Sequence, residues 1–275
     1  IPDASLIASA KSGTLANSDG IKKQVASMLE SPKAKRSIES FFKSWYKVGS
    51  INTFRYSDSV LKGLNQTNLL PAMITELIEF SKDVASNKQT ISDLYMSKKA
   101  LVADAELAKL YGVNPSSSWQ QLPSNRAGIL TRAALLVSSR NNVNPIMRGV
   151  HLSNDFLCNG IASPPPLNVV NSRDDVVVDQ FSISSREYAT QRTTGAVCAG
   201  CHSQINPYGF ALMDFDALGR PTAVDYVYRA DGSIATQFPV DTNSSVYLDG
   251  SSVSINGTLN LSQTLAKSQR ASACF

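Results

Sequence analysis

The sequence predicts a mainly α-helical fold that carries one small β-hairpin. Apolar residues recur at helical spacing through the first half of the chain. Apolar and polar residues alternate on both sides of Asp231-Gly232, a dipeptide typical of a tight turn between two strands. Helices therefore make up most of the predicted fold, and the hairpin follows them.

The composition is that of a globular chain with a substantial core. Of 275 residues, 43% are hydrophobic and 17% are charged, and the formal net charge is +4. No block of five like charges occurs, so the sequence does not indicate nucleic acid or anionic lipid as a partner. No apolar run approaches the ~18 residues of a transmembrane helix, and the N-terminus lacks the features of a signal peptide.

Helical spacing predicts the N-terminal elements. The segment "DGIKKQVASMLES" places four apolar residues on one helix face: Ile21, Val25, Met28 and Leu29. Ser31-Pro32 is typical of an N-cap and first helical residue, and the helix that follows has an apolar stripe of Ile38, Phe41, Phe42, Trp45 and Tyr46.

Further helices are predicted up to Gly160. Pro71 is expected to begin a helix, Thr90-x-x-Asp93 resembles a capping box, and "LVADAELAKLYG" is expected to end at Gly112. The apolar segment "NRAGILTRAALLVSSR" predicts a buried helix, and Asn144-Pro145 predicts the start of another.

A proline run divides the predicted domains. Ser163-Pro-Pro-Pro166 is a stiff segment. It predicts a helical domain over residues 1–163. A smaller domain over residues 164–275 would contain the hairpin and a short C-terminal helix.

The smaller domain contains the motif "CAGCH". Covalent attachment of haem c needs two thiols for the two vinyl groups and an imidazole directly after the second thiol to bind iron. Cys198, Cys201 and His202 provide these groups within about one helical turn. The motif therefore predicts one covalent haem, with His202 as the proximal iron ligand.

Two other uses of the motif remain open. A zinc site needs two more Cys or His ligands, and the remaining candidates lie far away in sequence: His151, Cys158 and Cys274. A redox-active dithiol usually follows a strand, which "TQRTTGAV" does not suggest. Haem c is the favoured interpretation.

Residues after the motif suggest a haem environment. Pro207 and Gly209 are expected to form a turn that brings a backbone carbonyl to the second nitrogen of His202. Three apolar residues are candidates for the wall of the haem pocket, or for an ordinary core: Phe210, Leu212 and Phe215.

The sixth iron ligand and the propionate partners are less well defined by the sequence. His151 is a candidate distal ligand and Met147 a weaker one, while a hydrogen-bonded core histidine and an open iron site are the alternatives. Met213 is expected to be an ordinary core or surface residue. Arg148 and Arg220 are candidates for pairing with the haem propionates, or for surface ion pairs.

The other two cysteines predict a disulfide. Haem c proteins mature in oxidising compartments, where disulfides persist, so we expect a bridge between Cys158 and Cys274. The loop that it closes is long, and the chain-entropy model gives a stabilisation of about 3–5 kcal/mol. Two free thiols are the alternative.

Long segments of the chain resemble planctomycete-type cytochrome c-like proteins, large exported proteins that contain domains of unknown function. The most characteristic segment is "CAGCHSQINPYGFALMDFDALGR"; the segment from "NRAGILTRAALL" to "SPPPLNVV", the N-terminal helices and "LAKSQRASACF" are also similar. The resemblance implies a helical, exported chain with one covalent haem bound by Cys198, Cys201 and His202.

The resemblance also bears on other positions. Several residues match the structural block that follows the motif: Asn206, Pro207, Gly209, Phe210, Phe215, Asp216, Gly219 and Arg220. Members often carry a large aromatic residue in place of His151, so the resemblance does not support that ligand. They usually begin with further N-terminal domains, so the chain is expected to be part of a longer polypeptide.

The leading hypothesis is a monohaem c-type cytochrome that transfers electrons outside the cytoplasm of a bacterium, in the periplasm, on the outer surface or as a secreted protein. Its expected partners are a redox protein and other cytochrome subunits. The alternatives are a peroxidase-like haem oxidoreductase with an open distal site, and a structural or assembly subunit of a cell-surface haem complex. The sequence predicts no catalytic residues.

Overall fold

The computed structural model describes residues 2–86, 89–161 and 178–275. The chain divides into two compact units, Ile1–Trp45 and Tyr46–Phe275. The proline run at residues 163–166 lies outside the described residues, so the predicted boundary between residues 163 and 164 stays a prediction. The structure is mainly α-helical with three small antiparallel sheets, which confirms the predicted fold class.

The N-terminal unit consists of α1 (Ala4–Lys11), α2 (Ser18–Glu30) and α3 (Pro32–Trp45). Side-chain oxygens of Asp3 and Asn17 cap the first two helices, and Ser31 accepts a hydrogen bond from the backbone N–H of Ala34 at the start of the third. The predicted restart of the helix at Ser31-Pro32 is therefore confirmed.

The orientation of α2 differs from that of an ordinary amphipathic helix. Its buried residues are Gly20 and Gln24. The side-chain amide oxygen of Gln24 accepts a hydrogen bond from the hydroxyl of Ser9 at 3.0 Å. The four apolar residues that share the other face are exposed. A Cβ at position 20 would lie 1.8 Å from the carbonyl oxygen of Thr14. The glycine therefore allows the backbone of Thr14 to lie close to the polar side of α2.

The helices of the second unit up to residue 111 surround one apolar core. They are α4 (Asp58–Leu61), α5 (Gln66–Ser86), α6 (Ile91–Met96) and α7 (Ala105–Tyr111). The capping box at Thr90 and Asp93 and the end of α7 at Gly112 are confirmed. The prediction that Pro71 begins a helix is wrong: α5 begins one turn earlier, because Asn65 accepts the N–H groups of Thr67 and Leu69.

The segment "NRAGILTRAALLVSSR" is buried, but it is not one helix. It forms a 3-10 turn at Ile129–Thr131 and the short α8 (Ala133–Leu136). The backbone of Gly128 has a φ of 63°, and a Cβ there would lie 1.9 Å from the carbonyl oxygen of Tyr95. This close contact and the extended backbone at Arg132 divide the segment.

Two crossing helices form the centre of the second half. They are α9 (Pro145–His151), which continues as a π-helical turn at Leu152–Phe156, and α11 (Ala196–Phe210). A Cβ on Gly149 would lie 2.2 Å from the carbonyl oxygen of Ile205, and one on Gly209 would lie 1.8 Å from that of Pro145. Both glycines thus allow the two backbones to touch. The preceding α10 (Ser185–Thr193) packs beside them.

Within the described residues, three two-stranded sheets complete the fold. The short β1 (Lys99–Ala100) pairs with β2 (Gln120–Gln121). The predicted hairpin is confirmed as β3 (Val224–Tyr228) and β4 (Ile234–Pro239). A second hairpin, β5 (Asn243–Leu248) and β6 (Ser251–Asn256), turns at Asp249-Gly250, where both φ angles are positive. This second hairpin was not predicted, although Asp-Gly is the same turn signal as in the first hairpin.

The C-terminus contains α12 (Thr258–Leu265) and α13 (Gln269–Cys274). The structure contains the disulfide between Cys158 and Cys274, whose Cα atoms are 5.5 Å apart. It ties the end of the chain to the residues after the π-helical turn. Within the described ranges, no helix is long and apolar enough to cross a membrane.

The crossing of α9 and α11 predicts opposite effects for two alanine substitutions in one helix. Gly209→Ala should destabilise the chain by about 3 kcal/mol, because the new methyl group must displace the Pro145 carbonyl. Gly200→Ala should be neutral or stabilising by up to ~1 kcal/mol, since a Cβ there meets open space. Urea unfolding of both variants measures the difference, and equal effects would contradict the close crossing.

Candidate functional site

The CAGCH motif occupies the first two turns of α11, directly after Gly195. Cys198 is buried with 6% exposure, Cys201 is exposed and His202 is half-buried. Because residues four apart share a helix face, Cys198 and His202 lie one above the other. Neither cysteine of the motif takes part in the disulfide.

A chain of hydrogen bonds orients the imidazole of His202. Its Nδ1 lies 3.1 Å from Oδ1 of Asn206, one turn along the same helix. The amide nitrogen of Asn206 donates to Oγ1 of Thr193 at 2.8 Å, and the Thr193 hydroxyl donates to the carbonyl oxygen of Ala189 at 2.7 Å. Asn206 is 7% exposed and Thr193 is 6% exposed, so these hydrogen bonds are largely shielded from water.

This series of hydrogen bonds determines which nitrogen of His202 carries the proton. A backbone carbonyl only accepts, so the single hydroxyl proton of Thr193 goes to Ala189. Thr193 must then accept from the amide nitrogen of Asn206, which leaves the amide oxygen facing His202. Nδ1 of His202 is therefore the donor, and Nε2 of the neutral ring keeps its lone pair for a metal.

The expected role of Pro207 and Gly209 is corrected by this arrangement. Both residues lie inside α11, so they form no turn that brings a backbone carbonyl to His202. The acceptor is the side chain of Asn206. The signal was present in the sequence, because residues four apart on a helix are neighbours, but it requires α11 to continue through Pro207.

The position of Thr193 depends on how α10 is anchored. The backbone N–H and the hydroxyl of Ser185 both donate to Asp225 of β3, at 2.7 and 2.9 Å. Burial raises the pKa of Asp225, and these two hydrogen bonds oppose the rise. Arg186 adds hydrogen bonds to the carbonyls of Asp241 and Asn243. The first hairpin therefore holds the helix that supports the imidazole.

The three apolar candidates for a haem wall are buried in the protein interior. Phe210 packs with Ala189 and Met213, and the guanidinium of Arg186 lies 4.4 Å from the centre of its ring. Phe215 and Leu212 are 1% and 4% exposed. Met213 is a core residue, in line with its ordinary interpretation.

The structure places His151 in a separate cluster. Its Nδ1 lies 3.0 Å from Asp155, which also binds Lys47 at 2.7 Å. Burial alone would raise the pKa of Asp155, but the bonds from His151 and Lys47 hold it below its ordinary value. His151 and Met147 line a cavity of about 120 Å³, whose lining includes neither Cys198 nor His202. His151 follows Gly149, which faces α11, by two residues and so points away from that helix.

Arg148 lies at the centre of the second unit rather than at its surface. The side chain is 4% exposed, and its N–H groups donate to the carbonyls of Leu136, Leu212, Phe215 and Asp216. Burial lowers its pKa to about 10, and nearby aspartates oppose the decrease. These five hydrogen bonds use all five donors of the guanidinium, so its partners are carbonyls instead of the expected propionates.

Arg220 is likewise engaged within the fold. Its Nε donates to Asp216 at 2.8 Å, and its terminal nitrogens contact the carbonyls of Val60 and Leu61. Asp216 also accepts the backbone N–H groups of Leu218 and Arg220. The pair thus closes the turn after α11 and connects it to α4.

In the described part of the chain, no group of three or more His, Cys, Asp or Glu residues is placed to hold a metal ion. We name the residues of the CAGCH motif and the two behind its imidazole the α11 site: Cys198, Cys201 and His202, with Asn206 and Thr193.

Two family models match the chain. Residues 1–113 match PSD4, Protein of unknown function (DUF1592), and residues 126–225 match PSCyt3, Protein of unknown function (DUF1588). Both are planctomycete-type cytochrome c-like domains of unknown function, which confirms the resemblance in part. No curated protein and no solved structure matches the chain significantly.

The buried guanidinium predicts a large loss of stability when Arg148 is replaced. Arg148→Met should lower the free energy of unfolding by about 3–5 kcal/mol, because the buried carbonyls lose their donors. Arg140→Met, at an exposed position, is the matched control and should change it by less than ~0.5 kcal/mol. Thermal or urea unfolding measures both, and similar values for the two would contradict the central role of Arg148.

Proposed function

We propose that the chain is a monohaem c-type cytochrome that transfers electrons outside the cytoplasm, alone or as a subunit of a larger complex. Cys198 and Cys201 would hold the haem through thioether bonds, and Nε2 of His202 would bind its iron. When bound, haem c supplies a reversible one-electron couple. The partner would be another redox protein.

The observation that carries the proposal is the orientation of His202. The Thr193–Asn206 chain holds the proton on Nδ1, so Nε2 is the nitrogen left for iron. The histidine held in this way directly follows two cysteines in CxxCH spacing. The exposed thiol of Cys201 and the half-buried ring also fit a group attached from the outside of the helix.

The second cysteine pair supports a location outside the cytoplasm. Disulfides persist in the periplasm and in secreted proteins, whereas cytosolic thiols are kept reduced. The bond between Cys158 and Cys274 closes a long loop that contains the whole α11 site. An oxidising compartment would therefore both retain this bond and be the place where haem c proteins mature.

Haem attachment is tested by expressing the full chain in the periplasm of a host with cytochrome c maturation. We expect one covalent haem per chain by mass spectrometry and the pyridine haemochrome spectrum of two thioethers. Cys198→Ala and Cys201→Ala should each remove one thioether, and the double variant should remove covalent haem. Cys158→Ser with Cys274→Ser is the control and should keep it. A chain that matures without haem would overturn the proposal.

Electron paramagnetic resonance of the same protein separates a carrier from an enzyme. A low-spin ferric signal with two strong axial ligands would support electron transfer. A high-spin signal that changes with cyanide or peroxide would overturn the carrier function in favour of a haem oxidoreductase. Because His151 lies in a separate cluster with Asp155, His151→Ala should leave the spin state unchanged, whereas a change of spin state would identify it as the sixth ligand.

The hydrogen bond from His202 to Asn206 predicts a shift in reduction potential. An acceptor on Nδ1–H makes the imidazole a stronger donor and favours ferric iron. Asn206→Leu should therefore raise the potential, by about 40 mV for a hydrogen bond worth ~1 kcal/mol. Thr193→Val should give a smaller rise, and Ser203→Ala should give none. Spectroelectrochemical titration measures all three, and an unchanged potential in Asn206→Leu would contradict the assigned tautomer.

A further inference from the structure

The N-terminal unit exposes an unusual share of apolar side chains. Of the eleven large hydrophobic residues that are exposed in the described part of the chain, six belong to this unit: Ile7, Ile21, Val25, Met28, Leu29 and Phe41. Four of them form the outward face of α2, while Gly20 and Gln24 take the inward side. An exposed apolar helix face of this kind is typical of a surface that binds another protein or a membrane.

The same unit carries most of the net charge. It contains seven basic and four acidic residues, so about three of the chain's four net positive charges lie in its 45 residues. The sequence contains no long run of like charges and by itself does not indicate an anionic partner. Three of the seven basic residues lie in the first turns of α3, directly after the last turn of α2.

Charge and apolar surface meet where α2 turns into α3. Met28 and Leu29, in the last turn of α2, are 42% and 57% exposed. Lys33, Lys35 and Arg36 lie in the first turns of α3 and are exposed, with Ser31 alone between the helices. We name Met28, Leu29, Lys33, Lys35 and Arg36 the α2–α3 corner. The exposed Glu30 beside them lies 3.9 Å from Lys35, so three basic residues and one acidic residue leave a net charge of +2 here. Basic residues at a helix N-terminus oppose the helix dipole, so an anion at this corner would be favourable.

We propose that the α2–α3 corner binds an anionic membrane surface. Met28 and Leu29 would enter the boundary between headgroups and acyl chains, and the three basic residues would lie among the lipid phosphates. This binding is peripheral and does not depend on the proposed haem.

Charge complementarity favours a membrane over a second copy of the chain. A symmetric dimer through this corner would place the lysines of one copy against those of the other, which is unfavourable. An anionic lipid surface satisfies both properties at once, because it offers negative headgroups above an apolar layer.

The proposal is tested by co-sedimentation of the full chain with vesicles. One set contains phosphatidylcholine alone, and the other contains phosphatidylcholine with phosphatidylglycerol. We expect at least about tenfold tighter binding to the anionic vesicles, and a marked loss of it in high salt. Equal binding to both sets, or no binding to either, would overturn the proposal.

Matched variants locate the binding surface. Met28→Ser with Leu29→Ser should weaken binding about tenfold, and so should the triple change Lys33→Gln, Lys35→Gln and Arg36→Gln. Two controls at exposed positions of the other unit should bind like the parent protein. These are Ile234→Ser and the triple change Lys98→Gln, Arg140→Gln and Lys267→Gln. Circular dichroism verifies that each variant is folded.

Two results would assign the corner to another partner. If light scattering shows a dimer that Leu29→Ser converts to a monomer, while vesicles are not bound, a second copy covers the surface. If the chain is monomeric and binds no vesicle, the partner is a protein with an acidic surface. Parent-like binding by both corner variants would also refute the assignment, because the lipid contact would then lie elsewhere.

Discussion

The guanidinium of Arg148 is the constraint on which the second unit depends. It is a buried cation whose donors reach carbonyls on two sides: Leu136 before α9, and residues 212, 215 and 216 after α11. Leaving any of these groups unpaired in the interior would cost free energy, so the hydrogen bonds of Arg148 favour the observed arrangement of the two helices. The close crossing at Gly149 and Gly209 is compatible with that arrangement. The helix that carries CAGCH is thereby held at its C-terminal end.

Two further buried arginines use the same principle. Arg132 pairs with Glu76 and also donates to carbonyls of Gly128 and Lys99, while its guanidinium lies 3.8 Å from the centre of the Phe80 ring. Arg126 donates to the carbonyl of Gly219, in the turn that follows α11. Burying charged groups is costly, so these contacts add more specificity than stability. They fix irregular turns that no regular hydrogen-bond pattern would hold, and the turn after α11 depends on both Arg126 and Arg148.

Local signals in the sequence were sufficient for several features. The capping box at Thr90, the helix end at Gly112 and the first hairpin each depend on residues that are close in the chain. Arg148 was misjudged because its partners lie far away in sequence and an isolated arginine usually lies at a surface. The role of Asn206 was missed for a different reason. Pro207 and Gly209 predict a turn, whereas both lie within α11. The helix therefore continues past Asn206, which lies one turn from His202.

The two units differ in where their charged side chains lie, which suits them to different roles. The second unit buries three of its arginines among carbonyls and keeps an almost balanced charge, whereas the first exposes basic residues close in sequence to exposed apolar ones. A carrier attached to a membrane by one unit meets partners on that membrane at a raised effective concentration. Such attachment would raise the encounter rate without adding a contact at the α11 site. Electron transfer and localisation would then depend on different residues, so a substitution in one unit need not impair the other.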